Sequence, residues 1–255
     1  MTSHILTETK EQILTITINR LEKKNALTRA MYAALAEAIN QANDDPGVRV
    51  LLITGSGDSF TSGNDIMDFL QQPPTDETTP VSHFLQAIAT AQKCLVAAVN
   101  GLAIGVGTTM LLHCDLVYAA ASARLQLPFV NLGVVPEAGS SYLLPRLMGH
   151  QRAAELLMLG EPFSAAKGQE VGIINEVVAD EALLPHAWGV AQKLAAKPPA
   201  ALRLTKALLR ENGRFTLEAM QREGAHFRDR LQSPEAIEAF TAFMERRPPD
   251  FSQFS

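Results

Sequence analysis

Apolar positions repeat with two different periods along this chain. Residues 12–19 alternate: Ile13, Thr15 and Thr17 face one way and Leu14, Ile16 and Ile18 the other, the two-residue period of a strand with one or both faces buried. Met31, Leu35, Ile39 and Ala42 then recur at helical spacing behind Thr28, a capping residue, until Asp44-Asp45-Pro46-Gly47 ends the helix. Residues 48–54 are an apolar run of strand length, residues 55–58 a turn, and residues 60–65 the approach to a further helix. Pro73, Pro74 and Pro80 among polar neighbours predict a loop over 71–80, and a helix follows over 81–92. The next strand, 95–99, leads past Gly101, Gly105 and Gly107 into a small-residue helix reaching 110, and another strand lies near 115–120.

Strands alternate with helices to about residue 180, which predicts an α/β architecture with recurring strand–strand–helix units. Beyond 181 the period stays helical. Leu183, Ala187, Val190, Ala191 and Leu194 share one face, Pro198-Pro199 breaks it, and helices are expected over 200–211, 216–231 and 234–245. The division is therefore an α/β core over 1–195 and a helical region over 196–255, whose Met220, Phe227, Phe240 and Phe243 can pack on the core or on another subunit.

Composition narrows the function classes. A chain of 255 residues can bury a full core, and a net charge of -5 gives no support for a nucleic-acid partner. No uncharged apolar run reaches the ~20 residues of a membrane span. Cys94 and Cys114 sit in apolar surroundings and are expected as reduced thiols. Neither a signal pattern at the start nor a peroxisomal address at the end is visible, so the expectation is a cytoplasmic enzyme.

Several familiar motifs fail. Gly105-Val106-Gly107 lacks the third glycine of a dinucleotide loop, because Met110 stands there. Gly139-Ser140-Ser141 is not a nucleophile elbow, and the six histidines show no metal-ligand spacing. Two segments remain: Phe60-Thr61-Ser62-Gly63-Asn64-Asp65-Ile66, and Asn100 to Met110. Each sets free backbone N–H groups at a helix start, where developing negative charge is favoured; each alone is as readily a plain glycine turn.

Taken in order, with Leu132-Gly133-Val134-Val135-Pro136-Glu137-Ala138-Gly139 downstream, Lys24-Asn25-Ala26-Leu27-Thr28 near the start and Phe243 to Phe251 at the end, these segments resemble the enoyl-CoA hydratase/isomerase (crotonase) superfamily across nearly the whole chain. The resemblance implies a spiral of ββα units with a helical C-terminal trimerisation region, assembled as a homotrimer or a dimer of trimers. It implies an acyl-CoA thioester substrate, no cofactor beyond the coenzyme A of that substrate, no metal, and no nucleic-acid or membrane partner. By position, the N–H groups of Asn64 and Val106 would hold the thioester oxygen. Lys23, Lys24 and Ala26 match the loop that meets the nucleotide end of coenzyme A; Ser62, Gly63, Asp65, Ile66, Gly105 and Phe129 complete the implied substrate contacts. Arg246 and Arg247 match a basic position near the CoA phosphates, or a plain solvated face. Phe129, Leu132 and Tyr142 could trim an acyl pocket lined partly by residues 69–84 and the C-terminal helices.

The departures point to the reaction. The two glutamates usual in a hydratase of this kind are replaced by Thr109 and Phe129, and neither can move a proton between water and carbon. The surroundings of Glu137 look like those of the Δ3,Δ2-enoyl-CoA isomerases, in which one glutamate at this position is the base. Spacing alone leaves Glu137 equally open as a helix-start residue, and suggests the same role for Asp65 and a solvated one for Asp68. Val134, Val135 and Ala138 would raise the Glu137 pKa and a helix starting near Ala138 would lower it. The expectation is an enoyl-CoA isomerase. The alternatives are a hydratase or other crotonase-type lyase using Glu137 alone, and a non-catalytic acyl-CoA-binding protein.

Overall fold

The structure, a computed structural model, describes residues 4–71, 76–211 and 213–254. Its strands are β1 (Ile5–Lys10), β2 (Ile13–Ile18), β3 (Val50–Gly55), β4 (Ser59–Thr61), β5 (Cys94–Val99), β6 (Leu102–Ile104), β7 (Leu116–Ala120), β8 (Arg124–Gln126), β9 (Phe163–Ser164) and β10 (Glu176–Val178). They form two sheets, ordered β1-β2-β3-β5-β7-β10 and β4-β6-β8-β9. Three times running, the chain lays one strand in the first sheet and the next in the second: β3 then β4, β5 then β6, β7 then β8. β3, β5 and β7 pair in parallel, as do β4, β6 and β8, so each circuit advances both sheets by one strand. This is a spiral of strand–strand–helix units. The corner between β5 and β6 is tight enough to demand glycine: a Cβ on Gly101 would lie 1.9 Å from the Asp58 carbonyl oxygen of the preceding circuit.

Burial explains why the strands could be read. Every residue of β3 and β5 is buried, and β2 alternates between buried and half-buried. Fully burying a Leu, Ile or Val side chain favours the fold by about 1.5–3 kcal/mol. Helix Arg29–Asp44 lays Met31, Tyr32, Leu35, Ile39 and Ala42 into this core, and Thr28 Oγ1 accepts from the Met31 N–H to cap it. β1 was not expected because only Ile5 of its six residues is buried. The small-residue helix expected up to 110 is instead β6, a four-residue helix at Val106–Thr109 and a 3-10 turn at Met110–His113. Gly105 stops the strand at φ +56, where an L side chain is strained.

The C-terminal helices lie against this spiral through polar clamps as well as apolar contacts. Lys206 of helix Pro199–Leu209 pairs with Asp115 at 2.7 Å, and Arg210 reaches the same carboxylate at 3.3 Å. Phe240 is buried in the core and Phe227 packs partly against it, whereas Phe243 is exposed. Cys94 and Cys114 are unpaired, and burial pushes the Cys114 thiol up to about 12. Among the described residues no helix is long and apolar enough to cross a membrane.

Candidate active site

Two neighbouring circuits of the spiral present the predicted N–H groups. After β4, the Leu27 N–H donates to the Gly63 carbonyl at 2.8 Å and the Asp65 N–H to the Leu27 carbonyl at 2.9 Å. This bridge uses the amides on either side of Asn64. After β6, the Gly105 N–H donates to the Gln126 carbonyl at 2.9 Å, and Val106 opens the short helix. A residue in that position has no acceptor inside its own helix. Among the described residues, neither the Asn64 nor the Val106 N–H has a protein acceptor.

A side chain from the second segment is bonded to Glu137. Thr109, on the helix opened by Val106, donates its hydroxyl to Glu137 Oε1 at 2.6 Å. The buried Tyr32 donates its hydroxyl to Asn64 Oδ1, and its own ionisation is opposed by burial and by the charge of Glu137. Thr109 thus ties the carboxylate to the helix opened by Val106, and Tyr32 holds the Asn64 side chain within the field of Glu137. The Glu137 residue keeps some solvent contact, but its carboxyl group is enclosed by protein. That desolvation pushes its pKa up to about 7; the Thr109 bond works against the shift and the nearby Glu223 charge adds to it. The opposed influences expected from the sequence are resolved in favour of burial, and the helix starts only at Ser140, one turn beyond the carboxyl.

The backbone after Glu137 is strained. Ala138 has φ +59 and Gly139 φ +73, so two successive residues are left-handed and the first carries a Cβ, which costs about 1–2 kcal/mol. Side chains from distant elements hold this turn. His113 Nε2 lies 2.7 Å from the Ala138 carbonyl, which can only accept, so that nitrogen carries the proton. Burial holds His113 down to about 4, hence neutral. Ser140 Oγ donates to the Glu137 carbonyl at 2.6 Å, and Glu223 grips Gly139 and Ser141 from the C-terminal region.

The other predicted residues fall on the rim or beneath it. Lys23 and Lys24 are exposed, and Lys24 pairs with Asp58 at 2.9 Å. Ala26 is buried, and its carbonyl accepts from Arg20 at 3.0 Å. Arg20 also holds Asp65 at 2.7 Å. Burial of Asp65 opposes its charge, yet the Asp68 N–H and Arg20 outweigh it and keep the carboxyl below the usual range. Asp65 caps helix Ile66–Gln71 through the Asp68 N–H, the bland role allowed for it. Asp68 is not merely solvated: it accepts from the Arg29 N–H at 2.8 Å at the start of helix Arg29–Asp44. Ser62 and Gly63 are tied into the bridge, Ile66 packs on the core, and Phe129 is buried. Arg247 is held by Glu238 at 2.6 Å and Glu245 at 2.7 Å, which favours the solvated-face reading for it. The acyl-pocket stretch 69–84 falls partly outside the described residues. Among those residues no group of three His, Cys, Asp or Glu side chains could hold a metal ion.

A profile described as enoyl-CoA hydratase/isomerase matches residues 8–254. The chain belongs to that family, the crotonase superfamily, close to its isomerases. Three curated relatives are each 35% identical. They are 1,2-epoxyphenylacetyl-CoA isomerase of Escherichia coli (99% of both chains), enoyl-CoA delta isomerase 2 of Rattus norvegicus (96% of this chain, 64% of that one) and crotonyl-CoA hydratase of Syntrophomonas wolfei (97% of both). A crystal structure of an enoyl-CoA hydratase/isomerase from Pseudoalteromonas atlantica superposes with TM-score 0.94 at 41% identity, covering 98% of this chain and 100% of that one. Identity does not separate isomerase from hydratase.

Proposed function

We propose that this enzyme is a Δ3,Δ2-enoyl-CoA isomerase. The observation that carries this reading is the enclosed carboxyl of Glu137, whose direct hydrogen-bond partner is a hydroxyl, Thr109, rather than a second acid, and which burial pushes up to about 7. A base poised near the working pH is suited to taking and returning one proton. The thioester carbonyl acidifies C2. Glu137 takes the C2 proton, the electron pair moves into the thioester as a dienolate, and the N–H groups of Asn64 and Val106 hold the oxygen. Glu137 then returns the proton at C4, and the double bond moves from 3,4 to 2,3. Each well-placed donor to such an oxygen is worth about 3 kcal/mol. Lys23, Lys24 and Ala26 would meet the nucleotide end of coenzyme A, with Ser62, Gly63, Asp65, Ile66, Gly105 and Phe129 lining the path inward. No cofactor beyond the substrate's own coenzyme A is needed, and a cytoplasmic location suits the reaction. The exposed Leu204, Leu208 and Leu209 suit burial in a homotrimer or a dimer of trimers.

The equally similar crotonyl-CoA hydratase favours a second reading, hydration with Glu137 alone. The test is a paired assay of wild type and Glu137→Gln on 3-hexenoyl-CoA and crotonyl-CoA, following conjugated-thioester absorbance. Isomerisation predicts gain of conjugation with the first substrate, reduced about 100-fold or more in the variant. Loss of conjugation with crotonyl-CoA at comparable rate would replace it with hydration. Binding without turnover of either would leave an acyl-CoA-binding protein.

A further inference from the structure

One buried acid has no task in that scheme. Glu223 lies in helix Gly213–Leu231 and is 7% exposed, a depth at which a carboxyl must be satisfied by donors. Its Oε2 accepts from the Gly139 N–H at 2.6 Å. Its Oε1 accepts from the Ser141 N–H at 2.9 Å and from Ser141 Oγ at 2.5 Å. All three partners act as donors, an arrangement that suits the carboxylate. The two amides are orphan donors at the start of helix Ser140–Met148, and its N-cap, Gly139, has no side chain with which to cap them. The cap comes instead from a helix more than 80 residues downstream. The turn that it closes is the strained one, at Ala138 and Gly139, that sets the direction of Glu137.

We propose that Glu223 is a positioning residue for Glu137: it closes the turn that aims the candidate base and sets a carboxylate beside it. This rests on reading Glu137 as the base. No hydrogen bond joins the two carboxyls among the described residues, so the charge is felt without a shared proton. The ionisable groups facing the pair come from four elements. Tyr32 approaches Glu137 from helix Arg29–Asp44. Neutral His113 holds the Ala138 carbonyl, with Arg210 behind it. Burial raises the Glu223 carboxyl above its ordinary value, and the Ser141 and Gly139 donors and Arg222, on its own helix, work against that rise. Burial already raises the affinity of Glu137 for a proton, and the like charge of Glu223 acts in the same direction. A stronger base is the better acceptor of a weakly acidic C2 proton.

The test reads Glu137 directly in the substrate-free protein. Glutamate labelled with carbon-13 at the carboxyl is followed by NMR across pH, the Glu137 signal being identified by its loss in Glu137→Gln. Wild type should titrate near 7. Glu223→Gln should lower that midpoint by roughly one pH unit, and should lower kcat on 3-hexenoyl-CoA about 10-fold with KM little changed. Glu223→Asp keeps the charge but withdraws it by a methylene, and should shift the midpoint the same way by less. An unchanged midpoint in either variant, shown to be folded by circular dichroism, overturns the proposal; if Glu223→Gln does not fold, Glu223→Asp decides alone. Ser141→Ala loosens the turn and keeps the charge. A midpoint that moves as far in that variant as in Glu223→Gln overturns the role of the charge. A wild type that titrates as described but fails to turn over 3-enoyl-CoA would sink the isomerase reading and leave the titration standing.

Discussion

The core strands β3, β5 and β7 and the turn over residues 137–141 are held by opposite means. Leu95, Val96, Ala97 and Ala98 show no exposure and are surrounded by other apolar side chains. Contacts of that kind are many, weak and interchangeable, so neighbours can share a loss. The turn is held by single directional bonds from Thr109, His113 and Glu223, each from a different element. A loss in the core is therefore expected to tell on folding, and a loss in the turn on the setting of Glu137.

Three changes would break or sharpen this contrast. The largest expected effect is Leu95→Ala, which should cost about 2–5 kcal/mol in urea unfolding and leave the Glu137 titration midpoint where it was. A moved midpoint would mean that the two regions are coupled. Next, Glu137→Gln should stabilise the protein by roughly 3 kcal/mol at pH 8. The sign follows from proton counting. The folded-state value of about 7 lies above the ordinary 4.5, so the folded chain holds the extra proton between those limits. Stability is then lost as pH rises from about 4.5 to 7 and stays lower above it. Urea melts of both proteins should converge at pH 4.5, and a variant less stable than wild type at pH 8 would contradict the enclosed carboxyl. The smallest effect belongs to Thr109→Val. Its hydroxyl bond holds the Glu137 pKa down, so its removal should move the alkaline-going rise of kcat/KM upward by a fraction of a pH unit. A downward move would show that the hydroxyl does not serve the carboxylate.

The same contrast explains what could be read in the sequence. Strands such as Cys94–Val99 and helices such as Arg29–Asp44 carry period and burial together, and their apolar positions announce them. β1 is an edge strand with polar residues, and the break at Gly105 depends on a backbone angle rather than on a pattern. Asn64, Val106 and Glu137 could be singled out only through family resemblance, because a backbone donor leaves no mark in residue type and a lone glutamate reads equally as a helix-start residue. Tyr32 reads as one more core aromatic on an amphipathic helix. Glu223 reads as one more charge on a helix rich in them. Only the fold reveals that one faces Asn64 and the other caps a turn 82 to 84 residues away.

That separation has a consequence for synthesis. The two sheets can grow circuit by circuit as a chain emerges from a ribosome, since each new strand pairs with one already laid down. The turn beside Glu137 cannot be finished in this way. Its two amides keep water as their partner until residue 223 has been made and brought back. The spiral can form before residue 223 is made, and the surroundings of its candidate base cannot be completed until after it.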